Sequence, residues 1–348
     1  DFMNKIKVLI IDDSALVRKV LAETINSNID ITVVGTAANP FIGRDMIVQF
    51  KPDVLLLDIE MPKMDGLTFL EKLMTHYPMP VIIVSSLGDS GGEVALRAME
   101  LGALEVLKKP GASYSIIEMK EQLIDKIRAA AKVKIFPKLQ KKSIDKKIKK
   151  NNSMIKTTNK VVAIGASTGG TVALTELLTK LPANIPPILI VQHMPEGFTY
   201  KFAERLNSLC KFEVKEAKHG DYVLSGRVLL APGNKHMIIK RDGANYYVEL
   251  KEGPLVFHQR PAVEVLFCSM ATYVGKNAVG IILTGMGKDG ADGLLEMKKN
   301  GAYTIAQDEK SCIVFGMPKE AIALGGVDEI YSLSDIPFAI MKHIEKNR

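Results

Sequence analysis

The chain has 348 residues, 47% of them hydrophobic and 24% charged, with a formal net charge of +7. That length exceeds one typical compact domain and suits two, each with room for a sizeable core; the composition excludes a fibre and global disorder. No apolar run reaches the roughly 18 to 20 residues of a membrane span, and "DFMNKIKVLIIDD" passes straight into a strand pattern rather than a signal peptide, so a cytoplasmic protein without membrane insertion is expected. Met3 reads as the initiator. Cys210, Cys268 and Cys312 are widely separated with no CxxC pair, which argues against a zinc site or a disulfide framework and for small core residues.

From Ile6 to Lys134, β-branched runs alternate with helical patterns, the order of an α/β fold with a parallel sheet. Five strands are expected: Lys7 to Asp12, Ile31 to Ala37, Asp53 to Asp58, Val81 to Ser86 and Glu105 to Pro110. Between the first two, "SALVRKVLAETI" puts Leu16, Val20 and Glu23 or Thr24 at helical spacing, with Val17, Leu21 and Ile25 widening that apolar face. Polar residues end the strands: Asp12 and Asp13, then Asp58, then Ser85, then Lys109. In a parallel sheet these ends share one edge, where ligands bind. Converging carboxylates repel each other unless a cation lies between them, and Mg²⁺ suits oxygen ligands, with Lys109 adding positive charge. Such a site fits phosphoryl transfer onto an aspartate, reported by the Ser85 hydroxyl. The plainer alternative is that each aspartate caps the helix that follows it.

"IDDSALVRK", "LLLDIEMPKMDGLTFL", "VIIVSS" and "KKP" resemble the receiver domain of bacterial response regulators. The resemblance implies Asp58 as phosphoacceptor. It also implies Asp12, Asp13, Asp58 and the backbone carbonyl of Glu60 as Mg²⁺ ligands, and Ser85 with Lys109 as the switch pair. Val106 stands at the site position that is usually aromatic in that family.

The basic charge belongs to one segment. Between Val133 and Lys160, ten lysines against the single acid Asp145 give +9, so the rest of the chain carries −2. With no sustained apolar stripe, this stretch reads as a solvated linker. A basic arm for nucleic acid is the weaker alternative, and no nucleic-acid partner is expected.

The second half again alternates strands and helices, and it is too large for a helix-turn-helix module. "VVAIGASTGGTVAL" (Val161 to Leu174) satisfies neither GxGxxG nor GxxxxGK[ST]. It does satisfy G-x-S-x-G between an apolar strand and a helix, which presents Ser167 as a nucleophile at the sheet edge. His193 follows the strand "PILIVQ" and would share that edge. His219 and His236 sit in turn-like surroundings where a solvated or locally bonded imidazole is expected, His258 is a weaker rival, and His343 lies on a terminal helix. "VGIILTGMGKDGADGL" ends a strand in a glycine-rich turn and delivers Asp289 and Asp292 at a helix start. Asp289 suits the orienting acid for His193, Asp292 suits a helix cap, and the Met286 backbone N–H suits an oxyanion donor, worth roughly 3 to 4 kcal/mol of barrier.

The order Ser167, His193, Asp289 is not that of α/β-hydrolases. "GASTGG", "VQHMP", "APG", "RPAVEVLF" and "LTGMGKDGADGL" behind a receiver are similar to the chemotaxis protein-glutamate methylesterases. The implied architecture is a flavodoxin-like receiver with a five-stranded parallel sheet (3–131), a lysine-rich linker (132–159) and a Rossmann-like doubly wound α/β catalytic domain (160–348). The implied activity is hydrolysis of glutamate methyl esters on cytoplasmic helices of methyl-accepting chemotaxis receptors, with glutamine deamidation in many members. It needs no metal for the ester step, and the receiver inhibits it until a histidine kinase phosphorylates Asp58. A non-catalytic receptor-binding adaptor is the alternative.

Overall fold

A computed structural model of the chain describes residues 5–61, 66–86, 89–109, 116–133 and 159–346; most of the expected linker, and Pro110, lie outside the described residues. Contacts divide the chain into two compact units, Asp1–Lys141 and Lys142–Arg348.

The first unit runs β1 (Ile6–Ile11), α1 (Ala15–Asn26), β2 (Ile31–Ala37), α2 (Pro40–Phe50), β3 (Val54–Asp58), α3 (Gly66–His76), β4 (Val81–Ser85), α4 (Asp89–Leu101), β5 (Glu105–Lys108) and α5 (Ile116–Ala131). The five expected strands all form, in one parallel sheet ordered β2-β1-β3-β4-β5. Continuous apolar runs such as Val54–Leu57 and Val81–Val84 are buried throughout, as strands covered on both faces require. Ser14 and Asn39 start α1 and α2 by accepting from Val17 and Ile42 N–H, and Pro40 follows Asn39 at the first helical position. The α1 face is narrower than its sequence pattern: Leu21 and Ile25 are buried, whereas Leu16 is 71% exposed. Leu16 lies in the first turn, beyond the edge of the sheet-facing stripe.

The second unit contains β6 (Val161–Ala166), α6 (Gly170–Thr179), β7 (Ile188–Gln192), α7 (Phe198–Leu209), β8 (Glu213–Glu216), β9 (Arg227–Leu230), β10 (His236–Asp242), β11 (Asn245–Lys251) and α8 (Val263–Tyr273). It continues with β12 (Ala278–Ile282), α9 (Ala291–Lys299), β13 (Tyr303–Gln307), α10 (Met317–Ala323), β14 (Glu329–Tyr331) and α11 (Ile336–Lys346). Seven strands form a parallel sheet ordered β14-β13-β12-β6-β7-β9-β8. The chain order reverses at β6 and β12, so the residues after these two strands lie at the sheet's topological switch point. The expected strand–helix alternation is broken by β10–β11, an antiparallel hairpin that packs Met237, Ile239 and Val248 into the core with α8. Its alternating residues around "RDGAN" carry a hairpin signal.

Three further expectations are corrected. Cys268 is exposed and Cys210 and Cys312 are only half-buried, so none is a full core residue; burial pushes the thiols of Cys210 up to about 11 and Cys312 up to about 12. His236 is not in a turn but buried on β10, where Nε2 bonds Pro254 O at 2.9 Å and Nδ1 accepts from Ala262 N. Asp292 does not cap α9; Gly290 does, and Asp292 stands in the first turn. Among the described residues, no helix is long and apolar enough to cross a membrane.

Candidate functional site

Each sheet gathers polar residues at its carboxyl edge. In the first unit, Asp12 follows β1 and Asp58 ends β3, the two strands at which the order reverses. Both are 1% exposed, and with exposed Asp13 they offer carboxylate oxygens all within 4.8 Å of one another. Asp58 Oδ1 accepts from Glu60 N at 2.9 Å, and its Oδ2 accepts from Lys109 Nζ at 2.7 Å. Lys109 Nζ also lies 3.2 Å from Asp12 Oδ2, yet that buried oxygen accepts no hydrogen bond. One lysine therefore faces two buried carboxylates. Burial pushes the Asp58 carboxyl above the usual range against the pull of Lys109. For Lys109, burial alone would lower the ammonium, but Asp58 and Asp12 hold it above its ordinary value. A cluster of three acids, two of which share a single lysine, suits a hard cation with oxygen ligands, and Mg²⁺ fits this donor set. Ser85 is fully buried at the end of β4, its hydroxyl bonded to Ser86 O and its carbonyl to Lys109 N. Val106 is buried on β5.

In the second unit the site lies where β6, β7 and β12 end. His193 N donates to Ala166 O at 3.1 Å, and Ser167 N donates to Thr284 O at 3.0 Å, so the residue after each strand is pinned to its neighbour. Ser167 is 7% exposed. The turn that follows it places the left-handed residue at Gly169, at φ 78°, not at the serine. Glycine is what this conformation favours. Ser167, His193 and Asp289, each marked in the sequence by a different motif, are thus brought to one sheet edge.

His193 and Asp289 meet at 2.6 Å through Nε2 and Oδ2, both side chains about 97% buried. Asp289 also accepts from Val263 N at 2.7 Å and Glu264 N at 2.8 Å, the first two N–H groups of α8. The acid thus caps a helix 25 residues upstream while holding the imidazole. With Nε2 committed to Asp289, Nδ1 is the ring nitrogen left to take a proton. Two close approaches make the geometry possible. A Cβ on Gly165 would fall 2.2 Å from Val263 Cγ1, and one on Gly285 would fall 2.8 Å from Ser167 Cβ. Met286, half-buried, directly follows Gly285 in the same turn, and its N–H donates to no described residue.

Two supporting groups have little sequence signal. Gln192 Nε2 donates to both Ser167 O (3.0 Å) and His193 O (3.2 Å), bracing the two backbones together. Thr284 Oγ1 accepts from Ile313 N and Val314 N and donates to Thr168 O, which holds the Gly285 turn beneath Ser167. Only the position of Gln192, directly before His193 at a strand end, points to it in the sequence. His219 is exposed and accepts from Leu250 N. His258 is exposed, on a turn, and makes no contact with the His193–Asp289 pair among the bonds described.

Residues 162–340 match the family model described as CheB methylesterase, and residues 8–121 match the response regulator receiver domain. Protein-glutamate methylesterase/protein-glutamine glutaminase 2 of Syntrophus aciditrophicus (strain SB) is 57% identical over 343 residues, 98% of this chain and 100% of that protein. The like-named protein of Methylobacillus flagellatus is 53% identical over 98% of both chains. The crystal structure of the Thermotoga maritima CheB methylesterase catalytic domain matches with 39% identity and a TM-score of 0.53, covering 54% of this chain and all of that one. The chain belongs to the CheB methylesterase family, with a response regulator receiver domain ahead of its catalytic domain.

Proposed function

We propose that this protein hydrolyses glutamate methyl esters on chemoreceptor helices through Ser167, His193 and Asp289, and that phosphorylation of Asp58 raises this activity. The observation that carries the reading is the buried 2.6 Å contact of His193 with Asp289, on the sheet edge that also presents Ser167. His193 Nδ1 takes the Ser167 proton as Oγ bonds the ester carbonyl carbon, and the oxyanion that forms is met by the Met286 N–H. The carbonyl re-forms, the C–O bond to the methoxy group breaks, and His193 gives its proton to the departing methoxy oxygen, so that methanol leaves. Water attacks the acyl-serine with the same histidine as base, releasing a glutamate carboxylate and Ser167. Asp289 stays ionised throughout and stabilises the imidazolium. Glutamine side chains follow the same path with ammonia leaving, the reaction that the relatives' names include.

In the receiver, Asp58 is the phosphoacceptor, and Asp12, Asp13, Asp58 and the Glu60 carbonyl are the residues that would hold Mg²⁺. When bound, the ion supplies counter-charge for the phosphoryl oxygens. Lys109 and Ser85 then engage the added group and bias the receiver between inhibiting and permissive states. A chemotaxis histidine kinase is the phosphodonor and the cytoplasm the setting.

The test is methanol release from methylated receptor membranes, with and without Mg²⁺ and a small phosphodonor, for the parent and Ser167→Ala. Release that needs Ser167 and rises with phosphodonor is expected. Receptor binding without release would replace the esterase by the adaptor.

A further inference from the structure

Seven residues before α8, the chain makes a turn that its sequence does not favour. Val256 and Gln259 exchange both backbone hydrogen bonds, at 3.1 and 2.9 Å, which closes a two-residue loop over Phe257 and His258. Both loop residues have positive φ, 50° and 60°. That is the type I′ geometry, which asparagine and glycine adopt readily and bulky side chains adopt at a cost. The neighbouring structure imposes it. Arg260 donates through Nε (3.0 Å) and one terminal nitrogen (2.7 Å) to Asn234 Oδ1, and through the other to Gly253 O. His236 fastens the same segment from below, through Pro254 O and Ala262 N. Strain retained at such a place points to a role for the side chains presented.

The turn is tied to the reacting groups. Lys288 Nζ stands 5.2 Å from the centroid of the Phe257 ring, within cation–π range, and Lys288 is the residue before Asp289. Phe257 is half-buried and Lys288 exposed, and among the described residues no carboxylate pairs with this ammonium. A positive charge is thus held on an aromatic platform one residue from the acid of the proposed triad.

We propose that Lys288, steadied by Phe257, is a specificity-determining group that binds a free carboxylate flanking the scissile ester on the substrate helix. The inference rests on the esterase reading. Side chains three or four residues apart share one face of a helix, so a single cation beside the site reads an acidic neighbour of the ester. Each turnover also creates such a carboxylate, so a segment already partly hydrolysed becomes the better substrate.

The experiment measures kcat and KM for methanol release from methylated receptor membranes at low and high salt, for the parent, Lys288→Ala, Lys288→Glu, Lys288→Arg and Phe257→Leu. Lys288→Ala is expected to raise KM about fivefold, the order of one exposed charge pair, with kcat unchanged within about twofold. Lys288→Ala also removes the dependence of KM on salt, Lys288→Glu raises KM further and reverses that dependence, Lys288→Arg restores the parent value, and Phe257→Leu gives a smaller rise. Parent-like KM in both Lys288→Ala and Lys288→Glu would overturn the proposal. So would losses confined to kcat and thermal stability, which a purely structural turn would produce. Absence of Ser167-dependent release from the parent would instead remove the esterase reading on which it stands.

Discussion

Two parallel sheets in one chain place an aspartate at the point where their strand order reverses, and the two acids are solvated by the protein in opposite ways. Asp289 has its charge met by three donors, His193 and the first two N–H groups of α8. Asp58 and Asp12 share one lysine, and Asp12 keeps a buried oxygen with no hydrogen bond. The acid whose charge is complete can only orient and stabilise. The acids whose charge is incomplete form a cluster whose donor set suits a hard cation. The same fold rule puts both at a ligand-binding edge, and the local donor count decides which kind of chemistry each supports.

The contrast is broken most severely at Asp289. Asp289→Asn cannot hold the imidazole in the same tautomer and charge, and kcat for methanol release is expected to fall by roughly 10⁴-fold. A variant that retained parent turnover would remove Asp289 from the triad. On the other sheet, Asp58→Asn is expected to abolish stimulation by phosphodonor while leaving unstimulated release. A variant stimulated as fully as the parent would displace Asp58 as the acceptor. Asp12→Asn removes one carboxylate charge from the cluster, and Mg²⁺ affinity measured by calorimetry is expected to weaken on the order of tenfold. Unchanged affinity would show that Asp12 is not a ligand.

Gly285→Ala probes the framework instead of the charges. Its Cβ would fall 2.3 Å from Met317 Sδ and 2.8 Å from Ser167 Cβ, so thermal unfolding should report a loss of about 1 to 3 kcal/mol together with reduced turnover. Full stability would mean that the turn yields easily.

The smallest effect concerns His343, stacked on Tyr303 at 4.0 Å between ring centroids. Burial, with Lys160 and Lys346 nearby and only partly offset by Glu329 and Asp328, holds its pKa below 6.5. Its contribution to stability is therefore complete above about pH 6.5, and it is lost as pH falls from there through the depressed folded value, because the unfolded chain takes the proton first. His343→Phe keeps a ring on Tyr303 and should flatten part of the decline in melting temperature across that window. An unaltered decline would assign it to other groups.

Much of the site is legible in the sequence because parallel strands are short and apolar and end abruptly. "VVAIGAS", "ILIVQH" and "LLLD" mark both the strand and the first polar residue beyond it, so Ser167, His193 and Asp58 stand out from the pattern of apolar runs alone. Burial on helices is less legible: Leu16 fits the α1 period but is exposed, since a helical pattern does not say how wide a stripe the sheet will cover. His236 departs from its sequence pattern for a related reason. "GNKHM" has turn composition, yet the strand begins at the histidine, and core burial outweighs local propensity.

Taken alone, the sequence determined the two α/β units, the order of their strands along the chain, and the identity of the polar residues at the strand ends, because these follow from local periodicity and from where apolar runs stop. Tertiary structure decided which of those residues meet. Asp289 reaches both His193, 96 residues away, and the start of α8, 25 residues away; Lys109 reaches Asp58 across 51. Such contacts depend on the lateral order of strands in the sheet and on glycines that admit a neighbour's side chain. Neither is encoded by spacing along the chain, because lateral order is set by packing between distant elements.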